Sequence, residues 1–561
     1  MDDSATDIRT SAPQSFVSKY YEEMRLTMEQ KEDWIVSRVL EKRAAESPER
    51  AFVQFEVSQP WTFAQINQES NRFAHGLRRS GIKRHDCVLL LLPNCVEYLL
   101  LWFALNKIGA VPVCVNTESS GRFLEGPANA SKAVGMITDA SFLSRVRESE
   151  SQIPSMRYVY VRDPRNIVAS QIPSTVKVVD LDELRSEDDS NPELAVRDHR
   201  DAALIFLTGG TTGPAKSVVM TNAHVHWLAE QFASVFRLDQ DDVHLSTFPF
   251  FHGSGLVMGV YACLLRRTRV VHYPSFSVSQ WLERVRRHQV TTVLMLGVMM
   301  DYVFKQAPRP EDADTKLRMI LAIPTAHGIK DAFIKRFNVG RIVSGYGSTE
   351  LCFPVLSPYH EETPPGACGK LVDEWYEMRL VDPVTDEEVG AGEIGEAIVR
   401  PRVPWITTTG YAGQPEVTLH SMRNLWWHTN DLLKRDEDGW YYFIDRADDS
   451  IRVRAENVSS YDLEEIILSH SAIANCAVVG VATDVEAGEQ ELKACLVLQP
   501  GYALDFREFV AFCAERVPRN AVPRYVEVLA DLPTNEHGKV RKGILRNAGV
   551  SASTWDRQRD L

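Results

Sequence analysis

The chain has no apolar run long enough to cross a bilayer. Its longest uninterrupted stretch of apolar side chains, residues 98–105, has eight members, against the roughly 20 that a spanning helix needs. The N-terminus does not read as a secretory leader either, because Met1-Asp2-Asp3-Ser4 opens acidic and no apolar core follows. Cysteine is sparse and unpatterned. Its nine copies form no CxxC pair and no metal-ligand spacing, which suits reduced, mostly buried thiols in a cytoplasmic protein better than a disulfide frame. Basic charge is in deficit, 62 Lys and Arg against 76 Asp and Glu, for a formal net charge of -14. That balance argues against nucleic acid or anionic membrane as a partner, though a local basic site can still hold an anion. Repeats of solenoid type are absent too. What remains is a globular composition, 44% hydrophobic and 25% charged over 561 residues, enough for about three to four domains or subdomains.

Residues 1–30 are polar and irregular, and read as a tail or, over 20–30, as a partner-facing helix. From Trp34 onward β-branched runs alternate with helical ones: a strand at 88–92, a helix at 97–108, a strand at 111–115. The rhythm returns at 243–248, 270–271, 292–296 and 342–343. It predicts an α/β fold, a large domain over 31–446 with stacked, mostly parallel sheets and helices. From about 373 to 446 the texture turns β-rich. The charged stretch Asp445-Arg446-Ala447-Asp448-Asp449 reads as an exposed joint, and 447–561 as a small α+β C-terminal domain. In that domain Ser459 or Ser460 caps a helix, strands follow near 476–481 and 494–498, and another helix runs over 505–516.

The strongest local signal is an apolar strand running into Thr208-Gly209-Gly210-Thr211-Thr212-Gly213-Pro214-Ala215-Lys216-Ser217. Glycines let the backbone come close to an anion, and three threonine hydroxyls and one lysine add donors. Residues 210–217 are one residue from the P-loop pattern, with Ala215 where the last glycine belongs. A P-loop lysine opens a helix, however, and here Val218-Val219-Met220 reads as a second strand, with Thr221 or Asn222 capping a helix from Ala223. The frame is strand–loop–strand, and a hairpin without a ligand is the plain alternative.

Four further motifs follow in order: Phe248-Pro249-Phe250-Phe251-His252; Gly345-Tyr346-Gly347-Ser348-Thr349-Glu350; Trp427-His428-Thr429-Asn430-Asp431 with Asp445-Arg446 and Asp448; and Asn535-Glu536-His537-Gly538-Lys539. With these five the chain resembles the adenylate-forming superfamily of acyl-CoA synthetases, luciferases and peptide-synthetase adenylation domains. It looks closest to acid–CoA ligases of the carnitine/crotonobetaine type. The resemblance runs from about 34 to 545 and implies ATP, Mg²⁺ and CoA as ligands, with a mobile C-terminal lid.

By resemblance, Thr208, Gly209, Gly210, Thr211, Thr212, Gly213 and Lys216 hold the β- and γ-phosphates. Tyr346 and Gly347 lie against the adenine, Thr349 donates to the α-phosphate and Glu350 binds Mg²⁺. Asp431 accepts from the ribose hydroxyls, Arg446 contacts ribose or phosphates, and Lys539 bridges the α-phosphate and the substrate carboxylate. Asp448 is the hinge, Arg452 and Ala455 line the acceptor tunnel, and His252 stands at the mouth of the acyl pocket. That pocket draws on Trp227, Phe232, Ser254, Met299, Ala322 and Gly345, a mixture of polar and aromatic groups that favours a small or aromatic acid. Duller readings exist for single residues: Glu350 as a first-turn helix acid, His252 as a core imidazole, Lys539 as a solvated lysine.

Departures from the family pattern leave the acceptor open. Gly209, Ala215 and Ser217 replace the usual serine, proline and glycine of the loop, and Ala322-Ile323-Pro324-Thr325-Ala326-His327 replaces a glycine-rich segment. Asn430 stands where glycine is usual, and Arg452 and Ala455 where lysine and glycine are. A methyl at Ala455 narrows a tunnel that needs close backbone approach. Besides CoA, the acceptor can therefore be an amine or a carrier-protein thiol, or nitrite can replace the acid and diazotise an aryl amine. A degenerate nucleotide-binding scaffold is the reading from another class, and retention of Glu350, Asp431, Arg446 and Lys539 together argues against it.

Overall fold

The computed structural model describes residues 30–166, 173–196, 198–208, 216–323, 325, 329–446, 451–453, 456–458, 460–468, 470–484, 489–533, 540 and 542–560. The alternating β-branched and helical stretches build two seven-stranded sheets. The first runs Lys177–Asp180, Tyr158–Arg162, Gly135–Asp139, Cys87–Leu91, Val111–Cys114, β1 (Ala202–Thr208) and β2 (Lys216–Thr221). All its neighbours are parallel except β1 and β2, which are antiparallel. The second runs Arg341–Val343, Met319–Ala322, Thr292–Met295, Val243–Ser246, Arg269–His272, Ala51–Phe55 and Trp61–Thr62, parallel except at that last edge.

Between them lie helices with almost no exposed face. Val96–Lys107 is buried from Tyr98 onward, and α2 (Asn222–Val235) is buried along nearly its whole length. The first is apolar nearly all round and belongs inside, whereas α2 takes Asn222, His224, His226, Glu230 and Gln231 in with it; Leu99, Trp227, Val53 and Val88 share one core with both sheets. Thr221 caps α2, its Oγ1 accepting from the His224 N–H at 3.1 Å. The shorter helix α1 (Arg122–Ala130) buries Leu124 and Ala128 against the first sheet.

A third, antiparallel sheet is ordered β3 (Gly345–Ser348), Cys352–Leu356, Ala367–Leu371, then β5 (Trp440–Arg446), β4 (Trp427–Arg435), Ile394–Pro401 and Tyr376–Val381. The β-rich part therefore begins at Gly345, earlier than the expected 373. Glycine and proline in its first three strands hide the period-two alternation that announces a strand.

Beyond residue 450 the hairpin Ile451–Val453/Glu456–Val458, helix Ser460–Leu468 and a four-stranded sheet build a separate core. Its helix Phe506–Ala514 is capped by Asp505, whose carboxylate accepts from the Arg507 and Glu508 N–H groups. The expected tail, the helix at 20–30 and the joint residues 447–450 lie outside the described residues. All nine cysteine sulfurs are unpaired. Among the described residues no helix is long and apolar enough to cross a membrane.

Candidate active site

The hairpin β1–β2 is the strand–loop–strand frame read from the sequence, with Thr208 opposite Lys216. Its second strand is gripped by the segment after Trp405. The Val219 N–H donates to the Gly410 carbonyl at 3.0 Å, the Ala412 N–H to the Ser217 carbonyl at 2.8 Å, and the Thr408 hydroxyl to the Val219 carbonyl at 2.9 Å. This grip sets Tyr411 under the lysine, with Lys216 Nζ 5.2 Å from the ring centroid. The Tyr411 hydroxyl donates to Glu350 Oε1 at 2.9 Å. Burial, and then the Glu350 carboxylate, push this phenol far above its ordinary pKa, so it stays a donor. Thr208 Oγ1 and Ser348 Oγ are buried with no hydrogen-bond partner among the described residues. Orphaned buried hydroxyls are costly and point to a polar ligand.

The second half of the site is built by β3, β4 and β5. A Cβ on Gly347 would lie 1.9 Å from the Cys352 carbonyl, so that position requires glycine to keep β3 tight on its neighbour, while one on Gly345 would press on Leu356 Cδ2 at 2.8 Å. Between them Tyr346 is buried and donates its hydroxyl to Asp431 Oδ2 at 2.8 Å. Its ring lies 6.3 Å from that of half-exposed Phe443. Asp431 pairs in the backbone ladder with Arg446.

Asn430, next to Asp431, has φ 62°, a left-handed conformation that asparagine tolerates best after glycine. Its N–H donates to Glu396 Oε1 at 2.9 Å, while Glu396 Oε2 receives His428 at 3.0 Å and Arg423 at 3.1 Å. Burial alone would raise the Glu396 carboxyl, but these bonds outweigh it and hold it below its ordinary value. Asp386, Glu396 and His428 approach closely enough to chelate a cation, but the Arg423 guanidinium already supplies the positive charge there.

The acyl side is less complete. His252 is exposed, with Nδ1 2.8 Å from the Ser254 hydroxyl. Its loop is bolted down by Asn94, which accepts the Phe250 N–H at 2.8 Å. Met299 is half-buried and Ala322 fully buried at the end of its strand. Trp227, expected on the pocket wall, is a packing residue instead. Its ring stacks on Trp375 at 3.5 Å, and its N–H donates to the Tyr376 hydroxyl, which donates on to the Leu351 carbonyl. Phe232 is buried on the same helix, whose residues from Asn222 to Ala233 are all buried and leave a pocket no free face.

Gly209, Gly210, Thr211, Thr212, Gly213, Asp448, Ala455 and Lys539 lie outside the described residues, and Arg446 and Arg452 are described as backbone alone, Arg452 opposite Asn457. Tyr411, Glu396 and Asn94 are parts of the site that sequence reasoning missed. Only Tyr411 carried a signal, in the run Thr407-Thr408-Thr409-Gly410-Tyr411-Ala412-Gly413, a second loop of small hydroxyl residues and glycine.

Comparison with known proteins agrees with this geometry. Residues 40–411 match the AMP-binding enzyme family, and 462–539 the AMP-binding enzyme C-terminal domain. The crotonobetaine/carnitine–CoA ligase of Citrobacter koseri is 30% identical over 513 residues, covering 87% of this chain and 94% of the relative. That of Salmonella typhi is 29% identical over 494 residues, with 87% and 93% covered. Among solved structures, a double mutant of the Bacillus subtilis o-succinylbenzoate CoA synthetase, bound with its product analogue OSB-NCoA, overlies the chain with TM-score 0.77 at 26% identity, covering 91% of this chain and 98% of that one. The same synthetase in complex with AMP gives 0.63 at 26% identity, covering 92% and 99%. Hairpin, glutamate turn and buried tyrosine–aspartate pair thus stand in one chain matched along most of its length, and it belongs to the AMP-binding enzyme family, the adenylate-forming ligases.

Proposed function

We propose that this ligase activates a small or aromatic acid with ATP and hands it to CoA. A carboxylate oxygen of the acid attacks the α-phosphorus, the bond to the bridging oxygen breaks, and pyrophosphate leaves with the electron pair. A thiolate then attacks the acyl carbon and AMP departs. The observation that carries this reading is the Tyr346–Asp431 hydrogen bond, which brings two motifs 85 residues apart to 2.8 Å. In the proposal Asp431 accepts from the ribose and Tyr346 backs the adenine. Thr208 to Lys216 hold the outer phosphates, Thr349 the α-phosphate, and Arg446 the ribose or phosphates. Lys539 bridges both reactants, so that charge and position supply most of the rate. Glu350 is the group that would hold Mg²⁺, whose bound charge neutralises a triphosphate.

Residues 447–561 act as a lid turning about Asp448, with Arg452 and Ala455 beside the acceptor. CoA as acceptor is supported by the names of the relatives.

The test is pyrophosphate release with ATP and Mg²⁺ across a panel of small and aromatic acids, with and without CoA, and with nitrite plus aryl amines. Acid-dependent release ending in a CoA thioester is the expected result. Release without thioester moves the acceptor to an amine, a carrier thiol or nitrite chemistry; silence with every acid counts against the ligase reading.

Glu396 offers a second check. Glu396→Gln removes the charge that holds Asn430, His428 and Arg423 together, and charge-assisted bonds are worth about 1.5–3 kcal/mol each. Because the loosened turn carries Asp431, AMP should bind about tenfold more weakly by calorimetry. Wild-type affinity in a folded variant would show that the turn holds its shape without the carboxylate.

A further inference from the structure

Helix α1 faces two parts of the molecule. On one side Leu124 and Ala128 are fully buried in a core with Ile205 of β1, and Ala412 packs at its margin. A Cβ on Gly413 would lie 2.6 Å from the Ala130 carbonyl, so the end of the helix is wedged against the segment that carries Tyr411. α1 is thereby fixed to the strand leading into the phosphate hairpin and to the tyrosine that holds Glu350.

Phe123, one residue from Leu124, points elsewhere. It is half-buried against the C-terminal core of Ile451, Val453, Val458 and their neighbours. Every other member of that core comes from residue 451 onward, so among the described residues Phe123 is the large domain's one contribution to it. The Arg122 guanidinium lies 5.4 Å from the centre of the Phe123 ring.

We propose that Phe123 is a positioning residue for the second half-reaction: it latches the C-terminal domain, through that domain's apolar core, in the arrangement that passes the acyl group to the thiol. The proposal rests on the two-step reading above. The arrangement containing this contact overlies the Bacillus synthetase with its CoA product analogue at TM-score 0.77, and the AMP complex of that synthetase at 0.63, with nearly equal coverage. A ligase that works in two arrangements needs a contact present in one of them, and removing it shifts the population toward the other. Because Phe123 lies at the surface of the large domain, its loss leaves the nucleotide site standing.

The experiment uses the full-length chain with Phe123→Ala and Phe123→Leu. Acid-dependent ATP–pyrophosphate exchange reads adenylation, and single-turnover thioester formation from preloaded adenylate reads transfer. Phe123→Ala should slow transfer about tenfold with exchange within twofold of wild type, and Phe123→Leu should restore most of the rate by keeping apolar bulk. Small-angle scattering without substrate should show a broader distance distribution for Phe123→Ala than for wild type. Equal loss of both steps, full transfer activity in the alanine variant, or identical scattering would each overturn the latch. Absence of exchange from the wild-type chain with every acid would instead overturn the ligase reading, and scattering would still decide the contact.

Discussion

Lowering the pH from 7.5 to 5.5 should remove much of the large domain's stability. His224, His226, His244 and His272 have no exposed surface, and burial takes each imidazole from 6.5 down to about 3. The folded pKa lies below the unfolded one. The stabilisation is therefore complete above pH 6.5 and is lost as pH falls, because the unfolded chain takes up protons the native state refuses until about pH 3. Each such proton is worth about 1.4 kcal/mol per pH unit, so four set a ceiling of about 5 kcal/mol per unit. Total stabilities are only about 5–15 kcal/mol.

The surroundings divide the effect unevenly. His244 and His272 face the hydroxyls of Thr292 and Ser246; burial dominates at both, and the Asp242 carboxylate offsets part of the share of His244. His226 has Arg266 and Arg43 nearby, but Glu230 lies 3.6 Å from its Nε2 and offsets part of its share. Trp34, stacked on His226 at 5.1 Å, and the Trp227–Trp375 pair make tryptophan emission report on this core. Urea midpoints by fluorescence should drop steeply between pH 7.5 and 5.5. A flat midpoint over that range would mean that the buried imidazoles find their protons at little cost.

What was legible in the chain depended on whether the signal was local. The hairpin was readable because Val218-Val219-Met220 follows the lysine and Thr221 supplies a cap, all within six residues of Lys216. The helix expected over 505–516 is there as Phe506–Ala514. The parallel sheets followed from unbroken β-branched runs, since strands covered on both faces need no alternation. By contrast, Tyr411 meets Glu350 from 61 positions away and Glu396 meets Asn430 from 34, distances over which spacing carries no geometric information. Trp227 misled in the same way: an aromatic residue just after the phosphate loop invites a pocket role, yet it is fully buried against Trp375 and the Tyr376 hydroxyl, 149 positions away. Asn430 was visible only as a substitution for glycine; its φ of 62° and its bond to Glu396 explain how the turn is kept.

Glu350→Gln should cut acid-dependent pyrophosphate release about a hundredfold or more while leaving the fold intact. The substitution is close to isosteric, and the glutamine carbonyl can still accept from the Tyr411 hydroxyl that now lies 2.9 Å from Oε1. Only the charge is lost. If Glu350 holds the metal, that charge is worth several kcal/mol where a triphosphate is being neutralised, and 1.36 kcal/mol is a factor of ten in rate. Tyr411→Phe tests the same carboxylate from the other side. The ring would stay under Lys216 and against Trp427, 5.6 Å away, but the carboxylate would lose the donor that fixes its rotamer. That variant should lose about tenfold, with a raised Mg²⁺ requirement that excess Mg²⁺ partly relieves. The two variants must therefore rank, the charge mattering more than its positioning. A Glu350→Gln enzyme within threefold of wild type, or a Tyr411→Phe enzyme more impaired than Glu350→Gln, would move Glu350 from metal binding to packing of the turn.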